Sequence, residues 1–241
     1  MELQSALYMI PVPISLAPVD AVIPQANFDI IKGITHFIVE NVRTARRWLK
    51  KFDPSIDISA ISFYELNAHT PPDEISAYLS PLRKGEPMGV MSEAGCPGVA
   101  DPGALIVRLA QRENLKVIPL VGPSSILLAL MASGLNGQRF SFRGYLPVHD
   151  LDREKTIRDL EKQSALQDMT QIFIETPYRN HKMMESLLKN LKPSTLLCVA
   201  SDISDPQNER IVTKTVALWK SEGFSIGKVP AIFLFYSAPG I

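Results

Sequence analysis

The sequence predicts two α/β domains in succession, the first built on a mainly parallel sheet, and three observations carry that expectation. Through the first half of the chain, short apolar runs alternate with segments of helical period, the pattern of βαβ units whose strands are covered on both faces. Two strand-to-helix transitions are drawn out into glycine- and proline-rich loops, Met91 to Gly103 and Gly122-Pro123-Ser124-Ser125. After Ser133-Gly134-Leu135 the texture changes to an aromatic and arginine-rich run followed by a long charged segment. A boundary is therefore expected near Asn136, giving domains 1–135 and 136–241.

The elements follow in order. Leu7 to Pro11, His36 to Val39, Ile58 to Tyr64, Met88 to Met91 and Lys116 to Val121 read as strands, being short apolar runs bounded by turn-forming residues. Asn27 to Gly33 and Thr44 to Phe52 mix polar and apolar residues at helical period; Asp73 to Lys84 opens with Pro71-Pro72 and an acidic first turn; Gly103 to Glu113 follows the long loop. In the second half, Asp150 to Gln167 and Asn180 to Leu191 read as helices. Gln171 to Glu175, Thr195 to Ala200, Arg210 to Val216 and Ala231 to Tyr236 read as strands.

Glycine permits backbone paths and close approaches that a Cβ forbids, and proline stiffens the route between them. In open α/β sheets, ligands bind outside the carboxyl ends of the strands, so two such loops at strand ends suggest one shared pocket. Turn punctuation is the plainer reading of either loop alone.

Composition narrows the class. With 241 residues, 46% of them apolar, the chain can bury a sizeable core. Its 25 basic and 25 acidic residues cancel, so no global electrostatic footprint for nucleic acid or an anionic membrane exists. A local basic cluster, Arg43, Arg46, Arg47, Lys50 and Lys51, recurs at helical spacing and reads either as a solvated helix face or as an anion-binding patch. Cys96 and Cys198 are far apart, so no zinc or thiol-exchange pair is expected, and the protein is expected to be reduced and cytoplasmic. The start, Met1 to Pro11, lacks the basic region of a signal peptide, and no window reaches the roughly 18 apolar residues of a membrane span. His36, His69, His149 and His181 are scattered, and no metal site is expected.

The motifs occur in an order that resembles the S-adenosylmethionine-dependent tetrapyrrole methylase superfamily, and within it the branch that methylates a ribose 2′-hydroxyl of small-subunit ribosomal RNA. Leu7-Tyr8-Met9-Ile10-Pro11-Val12-Pro13-Ile14 resembles the opening strand and proline loop of that branch, and Glu40-Asn41-Val42-Arg43 falls at its acidic-threonine-arginine motif. Ser92 to Pro97 with Asp101-Pro102-Gly103 resembles its third loop. Gly122-Pro123-Ser124-Ser125, Ala132 to Leu135 and Arg139 to Pro147 resemble its domain-linking stretch, and Phe173 to Arg179 a further segment. The resemblance covers nearly the whole chain. It implies two α/β domains with the methyl donor in the cleft between them, S-adenosylhomocysteine as product, no metal, a homodimer, and ribosomal RNA or the small ribosomal subunit as partner. There are departures: Ser15-Leu16-Ala17 replaces a glycine and asparagine, Asn41 an aspartate, and Asp205 a lysine. They bear on the acceptor, while the cofactor loops match.

Displacement at a sulfonium carbon needs positioning and exclusion of water more than a covalent nucleophile, and no nucleophile elbow or phosphate loop is present. The resemblance implies donor contacts from Pro13 and Ile14, Asp101 and Ala104, Ser125 and Ile126, and from Pro230 and Ala231 next to Val229. Ser125 reads equally as a helix N-cap, and Pro230 as the start of an edge strand. On the acceptor side the expectation is Glu93 as general base, with Glu40 and Arg43 assisting, and Tyr178 and Arg43 touching the substrate. Glu93 also reads as a solvated loop residue, Arg43 as surface charge, and Tyr178 as an anchor for the Thr176-Pro177 turn. Two alternatives stay open: methylation of a tetrapyrrole or other small molecule, and donor binding without turnover.

Overall fold

The computed structural model describes residues 3–67 and 69–238. Contacts divide the chain into two compact units, Met1–Ser124 and Ser125–Ile241. The division precedes the position expected at 135/136, because the apolar helix Ser125–Ser133 packs against strands of the second sheet and so belongs with it.

The first unit runs β1 (Leu7–Met9), α1 (Val19–Val22), α2 (Gln25–Lys32), β2 (His36–Val39), α3 (Val42–Phe52), β3 (Ser62–Glu65), α4 (Pro72–Ile75), α5 (Ser80–Arg83), β4 (Met88–Met91), α6 (Gly103–Arg112) and β5 (Val117–Pro119). Its sheet has the order β3-β2-β4-β1-β5, and every neighbouring pair is parallel. Alternate residues face opposite sides, as the two-residue period of a strand requires. Tyr8, Ile10, Phe37 and Val39 join Phe28 and Ile31 of α2 and Ala45, Leu49 and Phe52 of α3 in one core. Leu7, Met9, Ile38, Met88 and Val90 join Leu79, Leu82, Ile106 and Ala110 in the other.

Two expected elements are interrupted for local reasons. The start of the run Ile58 to Tyr64 is a 3-10 turn, Ile58–Ala60, because the Asp57 carboxylate accepts from the backbone N–H of Ser59 at 2.9 Å and from its hydroxyl at 2.6 Å. The expected helix Asp73 to Lys84 is split by a 3-10 turn at Ser76–Leu79 ahead of α5, whose Pro81 has no N–H to continue an α ladder.

The second unit runs α7 (Ser125–Ser133), β6 (Phe140–Tyr145), α8 (Asp150–Gln167), β7 (Thr170–Glu175), α9 (Asn180–Asn190), β8 (Leu196–Ser201), β9 (Arg210–Thr215), α10 (Val216–Glu222) and β10 (Ala231–Tyr236). Its sheet has the order β6-β7-β10-β8-β9. β6 lies parallel to β7, and the remaining pairs are antiparallel. One face is packed with Phe173, Phe233 and Phe235 under Ile157, Met183, Met184, Leu187 and Trp219. The rings of Phe173 and Phe233 stack at 5.6 Å, and burying each ring contributes about 2 kcal/mol or more.

Candidate active site

In the first unit the chain leaving β1 travels toward β2 on one face of the sheet, and the chain leaving β4 travels toward β5 on the other. Neighbouring strands whose connections diverge open a crevice at their carboxyl ends. Here that point lies between β1 and β4, where the proline loop Ile10 to Ile14 and the loop Ser92 to Pro102 both begin. The two loops are joined by a pair of backbone hydrogen bonds, each 3.0 Å, between Val12 and Gly95. Gly95 has φ of +72°, and its position faces Ile14, so the bridge needs a residue that tolerates a left-handed backbone. The third loop enters at Gly122, where an added Cβ would sit 2.2 Å from Cγ of Pro11. Cys96 donates to the carbonyl of Pro123 at 3.3 Å, and burial pushes its thiol up, so it serves as a link between loops rather than as a nucleophile. Pro13, Ile14 and Asp101 therefore lie on one set of mutually bonded loops, with Ala104 exposed on the first turn of α6.

Asp101 builds its own loop. Its carboxylate accepts from the N–H of Gly98 at 2.8 and 2.9 Å and from that of Gly103 at 2.7 Å. Glu40 stands at the end of β2, where it lines a small pocket with Val39, Leu66, Met91, Asp101 and Gly103 and accepts from the backbone N–H of Glu93 at 3.3 Å. Burial raises the proton affinity of both carboxyls. At Glu40 the charges of Asp101 and Glu93 add to the rise, and the Glu93 N–H bond opposes it. The side chain of Glu93 is exposed, and Arg43 is exposed on the first turn of α3. Glu40 and Asp101 are thus the half-buried carboxylates at the pocket, and Glu93 supports Glu40 through its backbone.

Asn41 caps α3, its side-chain oxygen accepting from the N–H of Thr44 at 3.1 Å. Asn and Asp cap equally well, so the departure at this position costs no group facing the pocket. Asp205 turns the chain after β8 by accepting from the N–H groups of Gln207 and Asn208.

In the second unit, the end of β7 and the start of β10 lie side by side at one end of the sheet's inner strands, with Ala231 opposite both Glu175 and Ser201. The buried Glu175 carboxylate accepts from Thr176 N–H at 2.6 Å and from Arg179 Nε at 2.7 Å, which fixes the Thr-Pro-Tyr-Arg turn. Tyr178 is 81% exposed beneath the ammonium of Lys228 at 5.7 Å, so it presents its ring to solvent instead of anchoring the turn. Asn180 donates to the carbonyl of Val229 at 2.8 Å and of Gly227 at 3.2 Å, tying the segment before Pro230 and Ala231 to the start of α9. Its own oxygen is buried without a donor among the described residues. Nothing local in the sequence marks this tether. The cap at Asn41, by contrast, is legible from an asparagine before a helical pattern.

Three solved structures share this fold. The methyltransferase CobJ superposes with a TM-score of 0.61 at 16% identity, covering 97% of this chain and 94% of that one. The cobalt precorrin-4 methyltransferase CbiF gives 0.58 at 18%, covering 96% and 95%. A uroporphyrin-III-C-methyltransferase from Thermus thermophilus gives 0.56 at 14%, covering 96% and 94%. The chain has the tetrapyrrole methylase fold. In sequence its relatives on this fold are proteins named ribosomal RNA small subunit methyltransferase I. That of Vibrio cholerae is 29% identical over 198 residues, 82% of this chain and 65% of the relative. That of Escherichia coli is 28% identical over 201 residues, 83% and 66%. The chain thus spans just under two thirds of the length of these relatives. No sequence-family profile matches it.

On this fold the raised Glu40 has a measurable signature. The charged carboxylate is penalised on folding, so the stability this group contributes is full below the ordinary carboxylate range and is lost as pH rises through its raised folded value. Glu40→Gln keeps an oxygen for the Glu93 N–H. It is expected to raise the thermal midpoint at pH 7 to 8 and to match wild type at pH 4 and below, read by circular dichroism melts. A midpoint lowered at neutral pH would mean that the hydrogen bond outweighs burial.

Proposed function

We propose that this chain is an S-adenosylmethionine-dependent methyltransferase that methylates a ribose 2′-hydroxyl of small-subunit ribosomal RNA, acting in the cytoplasm as a homodimer. The observation that carries the reading is the sequence relationship to ribosomal RNA small subunit methyltransferase I proteins over 82% of the chain. It falls on a fold whose loops converge at the β1/β4 crevice. Among the described residues, no helix is long and apolar enough to cross a membrane.

The residues present suit the donor. A methyl sulfonium is a cation on a mostly neutral body. The first unit offers glycine- and proline-shaped backbone, apolar Ile14, and the half-buried carboxylate of Asp101, which repays a nearby positive charge. When bound, the donor supplies an activated methyl group. Pro13, Ile14, Asp101 and Ala104 of the first unit hold it and exclude water. Glu40 takes the proton of the acceptor hydroxyl, a role its raised proton affinity suits, with Glu93 holding its carboxylate. Arg43 and Tyr178 contact the acceptor. Exposed apolar Leu127 and Met131 on α7, and Tyr145 on β6, supply surface for the homodimer.

The test is transfer of labelled methyl to small-subunit ribosomal RNA from cells lacking the protein, followed by mapping of the alkali-resistant 2′-O-methyl linkage. Glu40→Gln is expected to lower kcat at least about a hundredfold, with little change in donor affinity. Transfer to a tetrapyrrole but not to RNA would replace the acceptor. Donor binding without transfer to either would leave a non-catalytic binding protein.

A further inference from the structure

We infer that the outer face of α3 is a docking strip for the phosphate backbone of the RNA that presents its ribose to the Glu40 pocket, an inference resting on the RNA reading above. α3 is Val-Arg-Thr-Ala-Arg-Arg-Trp-Leu-Lys-Lys-Phe, with five cations and no acid. At ~100° per residue, Arg43, Arg46, Arg47, Lys50 and Lys51 fall within an arc of ~140° on the helix circumference, and all five are exposed. Ala45, Leu49 and Phe52 occupy the opposite side and are buried in the sheet core. This segregation leaves α3 no apolar face to insert into a lipid surface, so the partner that fits is a polar polyanion in solution.

The strip also has a direction. It begins at Arg43, three residues after the pocket carboxylate Glu40, and runs through Arg46 and Arg47 to Lys50 and Lys51. At ~1.5 Å rise per residue it is ~12 Å long, room for two or three phosphates of one strand. Among the described residues, no carboxylate forms an ion pair with these cations. Arg46 lies over the Phe63 ring at 5.4 Å, Lys51 over Trp48 at 4.6 Å, Arg47 donates to the Thr44 hydroxyl, and Lys50 donates to the Pro54 carbonyl. The acids at the far end are Asp53, held by Lys32, and Asp57, which is held by Ser59 and feels Lys50 only at a distance. In a chain whose 25 cations and 25 anions balance overall, this is a concentration of one sign beside the pocket. Phosphate contacts of this kind position a nucleic acid without reading its sequence.

The experiment compares wild type with the triple variant Arg46→Gln, Arg47→Gln, Lys51→Gln. The readouts are fluorescence anisotropy of a labelled small-subunit ribosomal RNA fragment at several salt concentrations, and calorimetric titration with S-adenosylmethionine. The variant is expected to bind RNA at least about tenfold more weakly, with the slope of log affinity against log salt shallower by about 2, since each lost single-strand contact removes ~0.7. Donor affinity stays at the wild-type value. The paired variant Arg46→Lys, Arg47→Lys retains the wild-type slope. RNA affinity and slope unchanged in the triple variant overturn the strip while leaving the RNA reading intact. Wild type that binds the donor but no RNA overturns both. Wild type that prefers phosphatidylserine vesicles to RNA assigns the strip to a membrane and overturns it as a nucleic-acid surface. Should the triple variant not fold, a wild-type salt slope near zero also overturns it.

Discussion

Asp101→Ala is expected to weaken S-adenosylmethionine binding by about two orders of magnitude, about 3 kcal/mol, read by calorimetric titration. The carboxylate accepts from Gly98 N–H through both oxygens and from Gly103 N–H through one. It thereby closes the loop between the end of β4 and the first turn of α6. Alanine leaves two backbone donors in a half-buried loop without their acceptor, and each charged hydrogen bond of this type contributes about 1.5 to 3 kcal/mol. The loop that carries Gly95, and through it the bridge to Val12, then loses its fixed path. Asp101→Asn keeps one acceptor oxygen and is expected to fall between, near tenfold. Wild-type donor affinity in the alanine variant would remove Asp101 from the donor site and leave it a purely local loop residue.

Gly122→Ala is expected to destabilise the first unit by about 3 kcal/mol and to abolish measurable donor binding. The new Cβ would lie 2.2 Å from Cγ and 2.3 Å from Cβ of Pro11. A proline ring cannot swing away as the end of a long side chain can, so the loops after β1 and β5 must part. Ile23, 3.5 Å from the same point, blocks retreat to the other side. Urea unfolding followed by fluorescence and far-ultraviolet circular dichroism tests this. The transition of the first unit should move to lower urea while that of the second stays in place. An unshifted transition would show that the two loops do not approach closely in solution.

The fold was legible wherever burial and period agree. His36–Val39, Met88–Met91 and Ala231–Tyr236 stand where the hydrophobic pattern puts them, because a strand buried along nearly its whole length leaves an unbroken signature, and Asp150–Gln167 stands where a long charged segment puts a helix. The pattern fails where side chains compete with the backbone ladder. Asp57 and Ser59 turn an apolar run into a 3-10 segment, and Pro81 breaks a helical period that looks continuous. The sheet to which α7 belongs was not legible because that helix is apolar almost all round, and such a helix does not announce which sheet it covers. At the site, the loops and their small residues were visible as composition. The division of labour between Glu40 and Glu93 was not, since it depends on which carboxylate lies in the pocket, a contact across 53 positions of sequence. The tether from Asn180 to Val229 spans 49 positions and was hidden for the same reason.

The place of β10 in its sheet governs how the chain can be made. The first unit has all its strands by Pro119. In the second, the strand latest in chain order among the described residues, Ala231–Tyr236, lies in the middle of the sheet, hydrogen-bonded to β7 on one side and β8 on the other. Until it leaves the ribosome, β6-β7 and β8-β9 are separate ribbons, each with an open inner edge and an apolar face. At typical elongation rates of roughly 5–20 residues per second, the stretch from the end of β9 to the end of β10 keeps both ribbons open for about one to four seconds. Through that interval those inner edges are the part of the molecule most exposed to pairing with a neighbouring chain.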